Sequence, residues 1–255
     1  MEFHDQIVMI CGGTDEWGPA IAEGVLRRGA QTVIMVGALA GGASSRVRHT
    51  DEGELICLSE DALDRIGDDV DGIGRRGRID AVINLIALAP PHSDDRVDDR
   101  MRDPEIAAAC DAVVCRITRI VNATGDLLRE SRPCSALVNV GWWAPEAGGG
   151  MSAATAAASG SLDLLTKSLA KTLAPQIRVN AVLSAGLPPV GGALSAAAAE
   201  GNIRAGLEDR LGPVLFLASS AARHMTGTVL VADAGRSLGF AAFSKRDDQK
   251  VDTGM

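Results

Sequence analysis

"GGGMSAATAAASGSLDLLTKSLAKTLAPQIRVNAV", residues 148–182, changes period partway along. As far as Leu173 its apolar residues return at helical spacing, with Leu162, Leu165, Leu169 and Leu173 on one face. From Ile177 onward "IRVNAVLSAG" is a short apolar run of the kind that suits a strand covered on both faces. Pro175 separates the two, because proline cannot continue a helix. A long helix delivered into a buried strand is half of a βαβ unit, so the fold expected is a parallel sheet with helices on both faces and right-handed crossovers.

The rest of the chain repeats this alternation. "QIVMICG" (6–12) reads as the first strand, "AIAEGVLRRGA" (20–30) as a helix with a glycine stop, and "TVIMVGA" as the second strand. After a Gly/Ser loop (Gly41 to Ser45), "ELICLS" reads as a strand, "DALDRIGDDVDGI" as a helix and "IDAVINLIALA" as a strand. A long helix follows from about Pro104 to Arg129, with Ile106, Val113, Ile117, Ile120, Val121 and Leu128 on its apolar face. "SALVNVGWW" is the next strand, and "LEDRLGPVLFLASSAA" and "GTVLVADAG" supply the last helix and strand. The layout is a Rossmann-type, doubly wound α/β domain spanning 1–243, followed by a polar tail, 244–255.

Composition removes several classes of function. Hydrophobic residues make up 46% of the 255, yet no uncharged run has the length of a membrane span. "MEFHDQIVMICGG" lacks the basic and apolar regions of a signal peptide, so a cytoplasmic protein is expected. A net charge of -8 opposes nucleic-acid binding, and the cluster Arg75, Arg76 and Arg78 reads as a solvated turn. Cys11, Cys57, Cys110, Cys115 and Cys134 are scattered, mostly in apolar segments, and read as buried thiols. His4, His49, His92 and His224 show no spacing that would hold a metal. The run "DDRVDDRMRD" (94–103) reads as a solvated loop or helix start.

"CGGTDEWG", "INLIA", "LTKSLAKTLA", "IRVNAV" and "FLASSAARHMTGTVLVADAG", in this order and spacing, resemble the short-chain dehydrogenase/reductases over nearly the whole chain. The resemblance implies a Tyr for proton transfer, a Lys four residues on that lowers its pKa, a Ser that orients the substrate carbonyl and an Asn that holds a relay water. Matched position by position, the Tyr falls on Thr155, the Lys on Ser159, the Ser on Trp142 and the Asn on Val114. The chain contains no tyrosine, so no shift of register restores one. An aliphatic hydroxyl lies far above the pKa that general acid–base catalysis needs. Thr155 and Ser159 read instead as helix hydroxyls bonding back to carbonyls one turn away. Trp142 and Trp143 read as packing residues.

The resemblance also implies a Gly-rich loop that admits a dinucleotide's pyrophosphate at a helix N-terminus. Here Glu16 stands at its middle glycine, followed by Trp17. A carboxylate about 4 Å from a phosphate costs on the order of 4 kcal/mol at an effective dielectric near 20. Asp15 and Glu16 alternatively suit a first helical turn, where the dipole favours acids. The ribose-binding acid of NAD enzymes is replaced by Val36 and Gly37, and the family's Asp after the next strand by Leu58. Its Asn-Asn-Ala-Gly motif reads Asn84, Leu85, Ile86, Ala87, and its Pro-Gly pair reads Ser184, Ala185.

The helices 104–129 and 152–174 and the segment 207–235 resemble the family's subunit interfaces. Leu162, Leu165, Leu169 and Leu173 recur on one face, and Ala153, Ala154, Ala157 and Ala158 offer a small-residue surface for close helix approach; the alternative is that these residues cover the chain's own sheet, as some of them must. The expectation is a catalytically inactive subunit that binds no cofactor and assembles, as a heterotetramer, with an active paralogue carrying NAD. Two alternatives stay open: a repurposed non-redox lyase or cyclase with His92 as its acid or base, and a ligand-sensing regulator that uses the vestigial cleft.

Overall fold

β1 (Ile7–Cys11) is five apolar residues, all buried, and such a strand needs a neighbour on each side and a helix layer on each face. The computed structural model supplies both. It describes residues 2–12, 17–37, 45–68, 73–86, 103–131, 134–142, 153–184 and 207–233. After β1 come α1 (Trp17–Leu26), β2 (Thr32–Val36), β3 (Ser45–Thr50), β4 (Gly53–Leu58), a 3₁₀ turn (Glu60–Arg65), the short α2 (Ile73–Arg76) and β5 (Ala81–Leu85). Then follow α3 (Asp103–Arg129), β6 (Ser135–Trp142), α4 (Ala153–Leu173), β7 (Ile177–Ser184), α5 (Leu207–Ala218) and β8 (Val229–Ala232).

These strands form one eight-stranded sheet in the order β3-β4-β2-β1-β5-β6-β7-β8. Every pairing is parallel except β3 with β4. The two faces carry separate cores. On one, Ile21 and Val25 of α1 and Leu211, Val214 and Leu215 of α5 join Val8, Val33, Ile83 and Val138. On the other, Ile120 and Leu128 of α3, Leu173 of α4 and Leu63 of the 3₁₀ turn join Met9, Ile34, Leu137 and Val179. Gly141 lets α4 come close to β6: a Cβ there would stand 2.4 Å from Leu162 Cδ2.

Several expectations are corrected. The antiparallel β3 was not expected. The helix expected from "DALDRIGDDVDGI" is a 3₁₀ turn and the four-residue α2. Gly67 and Asp68 follow the turn, and both glycine and aspartate are poor residues for a helix interior. The leucine face of α4 belongs to this chain's own core: Leu162 and Leu173 are buried, and Leu165 and Leu169 are half-buried against the same clusters. Of the basic cluster, Arg76 is no solvated turn, because its guanidinium donates to Glu54 Oε2 and Thr32 Oγ1. Of the cysteines, which are all free, Cys11 is buried, Cys57, Cys110 and Cys134 are half-buried and Cys115 is exposed. Among the described residues no helix is long and apolar enough to cross a membrane. The tail 244–255 and the run 94–102 lie outside the described residues.

Candidate functional site

In an open α/β sheet the ligand crevice forms where successive crossovers leave in opposite directions, beyond the carboxyl ends of the strands. Here the chain runs outward from β1 through β2 to β4 and then crosses back to β5 on β1's other side, so the crevice lies between β1 and β5. β1 ends in Cys11 and Gly12. Gly12 has φ +83°, and a Cβ on it would stand 2.7 Å from the Leu85 carbonyl oxygen and 2.9 Å from Arg116 Nη2. Only glycine permits both the left-handed backbone and that close approach.

Arg116, from α3, is the side chain facing this glycine. Its Nε donates to Asn84 Oδ1 at 3.1 Å and its Nη1 to Glu60 Oε1 at 3.2 Å. Asn84 Nδ2 donates to Asn139 Oδ1 at 3.0 Å, and Asn139 Nδ2 donates to Thr166 Oγ1 at 3.5 Å. A guanidinium can only donate, so it fixes the Asn84 amide, which in turn fixes the Asn139 amide. From Glu60 the chain continues into Arg119, whose Nη1 donates to Glu60 Oε1 at 3.2 Å and whose Nε donates to Asp64 Oδ1 at 2.7 Å. A continuous polar chain therefore crosses the crevice floor from α4, through β6, β5 and α3, to the 3₁₀ turn.

Its charges set the local electrostatics. The Arg119 hydrogen bond holds the Asp64 carboxyl below its ordinary value, and the same bond raises Arg119. Burial pushes the Cys11 thiol up to about 12, against the opposing pull of Arg116. Cys11 is thus a neutral thiol near pH 7 and no nucleophile, since the thiolate is the reactive form. Among the described residues Arg116 Nη2 is itself buried without a hydrogen-bond partner.

The positions singled out in the sequence disperse around this floor. Trp17 opens α1 but is only 2% exposed, packed in the α1–α5 core. Val36 and Leu58, at the ends of β2 and β4, are buried in the opposite core, and Leu85 is buried in the α1–α5 core. Val114 lies 40% exposed on the outer side of α3. It lines, with Asp64, Cys115, Thr118, Arg119, Asn122 and Ala123, a surface groove of about 610 Å³. Ser159 is 3% exposed and its Oγ has no hydrogen-bond partner, which corrects the expected bond to a carbonyl one turn back. Ser161 makes the backward bond instead, to the Ala158 carbonyl at 2.7 Å. Ser184 at the end of β7 is also buried with an unpaired hydroxyl, and the Trp142 backbone pairs with it in register. Thr155 is in the first turn of α4. The side chains of Trp142 and Thr155, and Asp15, Glu16, Ala87, His92, Trp143 and Ala185, lie outside what is described. Sequence reasoning reached Asn84 but missed Arg116, Glu60 and Arg119; the available signal was two arginines, i and i+3, beside the apolar stripe of α3.

Residues 18–237 match the family described as Enoyl-(Acyl carrier protein) reductase. No curated protein sequence matches the chain. Among solved structures, a double variant of the Serratia marcescens short-chain dehydrogenase/reductase is similar at 20% identity, over 93% of this chain and 100% of that one, with a TM-score of 0.63. The Thermoplasma acidophilum aldohexose dehydrogenase in ligand-free form is 22% identical over 92% of this chain and 95% of its own, with a TM-score of 0.66. A Leptospira borgpetersenii short-chain dehydrogenase with bound NAD+ is 22% identical over 92% and 93%, with a TM-score of 0.65.

Proposed function

This chain belongs to the short-chain dehydrogenase/reductase family, and from that premise we propose that it is a non-catalytic subunit assembling with an active, NAD-binding paralogue into a hetero-oligomeric dehydrogenase. The observation that carries the reading is the complete absence of tyrosine. Without a phenol there is no proton donor of the family's kind at any register, and Ser159, at the position of the lysine, has no charge with which to activate one. The partner supplies the Tyr, Lys, Ser and Asn and holds the NAD.

The crevice floor supports the same reading. Arg116 donates there to both Asn84 and Glu60, and the described floor residues include no tyrosine, lysine or histidine. Outward-facing apolar residues suit assembly. Val114 on α3, Leu164 on α4, Phe216 on α5 and Val231 on β8 are all at least 39% exposed, the highest being Leu164 at 68%. They stand on the elements through which the family joins its subunits. For the substrate of the complex, the pattern of lost motifs resembles the inactive subunit of the heterotetrameric dehydrogenase that oxidises 2-[hydroxy(phenyl)methyl]succinyl-CoA in anaerobic toluene degradation.

The test is purification of the chain alone and co-expressed with an active paralogue. Alone, it gains no thermal stability from NAD or NADP; together, the two copurify as a heterotetramer with dehydrogenase activity. Saturable NAD or NADP binding by the isolated chain, or a stable homo-oligomer that ignores the paralogue, overturns the proposal.

A further inference from the structure

Among the described residues the sheet ends on β3, whose residues 46–50 are all exposed and which pairs there with β4 alone. Register places Arg46 opposite Cys57 and Arg48 opposite Leu55. Cross-strand partners share a face, so both guanidiniums lie on the side where Leu55 and Cys57 pack, half-buried, against the α1 core. Among the described residues neither arginine is in an ion pair, although the chain carries a net charge of -8. Burial raises the Cys57 thiol, and both guanidiniums act on it in the opposite direction. Val47, 43% exposed, and His49 occupy the other face.

We propose that β3 is a docking edge for an extended acidic segment of another protein, which adds to the sheet as a further strand with carboxylates at alternate positions opposite Arg46 and Arg48. Strand addition uses the N–H and C=O groups that an edge strand directs away from its sheet. Side chains directly opposite one another face the same way, so acids two residues apart meet both arginines, whereas adjacent acids put one on the Val47 face. A second copy of β3 would set arginine against arginine and is disfavoured. Nucleic acid fits less well, because Asp51 and Glu52 are exposed at the hairpin tip beside the arginines. This edge is at the far end of the sheet from β8, so it is independent of the subunit assembly proposed above.

The test uses a fluorescein-labelled, end-capped heptapeptide alternating aspartate with valine, followed by anisotropy on the full chain. Binding is expected that weakens with salt and falls at least tenfold in Arg46→Glu/Arg48→Glu, while Arg46→Lys/Arg48→Lys, which keeps the charge, retains most of it. A peptide N-methylated along its pairing edge, and one with the same residues but adjacent acids, are each expected to bind at least tenfold more weakly. Circular dichroism establishes that both variants fold. No binding, equal binding to the Glu variant, equal binding of the N-methylated or adjacent-acid peptide, or displacement by a short single-stranded oligonucleotide at equal concentration overturns the proposal.

Discussion

Replacing Arg116 by methionine keeps much of the apolar stem and removes the guanidinium that joins β5 to the 3₁₀ turn. Asn84 is fully buried with Arg116 in place, so its Oδ1 loses its charged donor. A hydrogen bond to a charged group contributes about 1.5–3 kcal/mol. Two effects reduce the loss. Glu60 keeps Arg119 as a partner, and the unpaired Nη2 disappears, returning about 1 kcal/mol of desolvation. The expected net cost is about 1–2 kcal/mol, or roughly 2–8 °C in Tm for a chain of this size. Urea unfolding of Arg116→Met, Asn84→Ala and the double variant, at fixed protein concentration, isolates the pair. A coupling of about 1.5 kcal/mol or more is expected for Asn84 with Arg116. The same cycle with Glu60→Gln should give under about 1 kcal/mol, because that carboxylate is 42% exposed and solvent screens it. If the Asn84–Arg116 coupling falls within about 0.5 kcal/mol of zero, the polar chain is not held together as described.

Thiol titration with a disulfide reagent should find Cys115 reacting first and Cys11 only on unfolding, because Cys115 is exposed while Cys11 is buried with its pKa pushed up to about 12; fast Cys11 labelling in the native chain contradicts this. Ser159→Ala should leave Tm unchanged or raise it, because the buried Oγ has no partner to lose and alanine favours a helix; a clear fall in Tm would show that the hydroxyl is used. Asp64 has a folded pKa below its ordinary 3.8, so its contribution is present above that value and is lost as pH falls through the folded one. Asp64→Asn should therefore lose less stability than the parent between about pH 5 and pH 2, measured by urea midpoints; an unchanged acid limb refutes the Arg119 pairing.

The parallel core was legible because its strands are buried on both faces and so read as unbroken apolar runs, as in "IVMIC" and "TVIMV". β3 was not, because "SRVRHT" is exposed on both faces and leaves no burial pattern in the sequence. The spacing of Ala62, Leu63, Ile66 and Ile73 imitates one helix, yet Ala62 and Leu63 are buried from a 3₁₀ turn, Ile66 from the residue after it and Ile73 from the start of α2. Periodicity also locates the leucine face of α4 without saying what covers it, and the answer is this chain's own sheet together with α3. The crevice divides similarly. Asn84 was visible as part of a motif, whereas Arg116 becomes significant only when the fold brings α3 over Gly12. Ser159 was misread because helical spacing puts a carbonyl within reach of its hydroxyl without fixing the rotamer that would use it.

The polar chain bears on the proposed reading of this chain as a subunit that binds no cofactor. A ligand that binds only the native state stabilises it by mass action, and the strand ends around a switch point are the part that gains most directly. In this chain the same strand ends are tied by internal bonds: β5 to β6 through Asn84 and Asn139, β6 to α4 through Thr166, and β5 to α3 and the 3₁₀ turn through Arg116 and Glu60. On that proposed reading these bonds hold the floor without a ligand. Charge makes the arrangement self-consistent, since the acids accompanying Arg116 and Arg119 are this chain's own Glu60 and Asp64. An entering anion would have to compete with both for those guanidiniums. Among the described residues Arg116 Nη2 has no hydrogen-bond partner, and it is buried against Gly12, where a Cβ would already be too close.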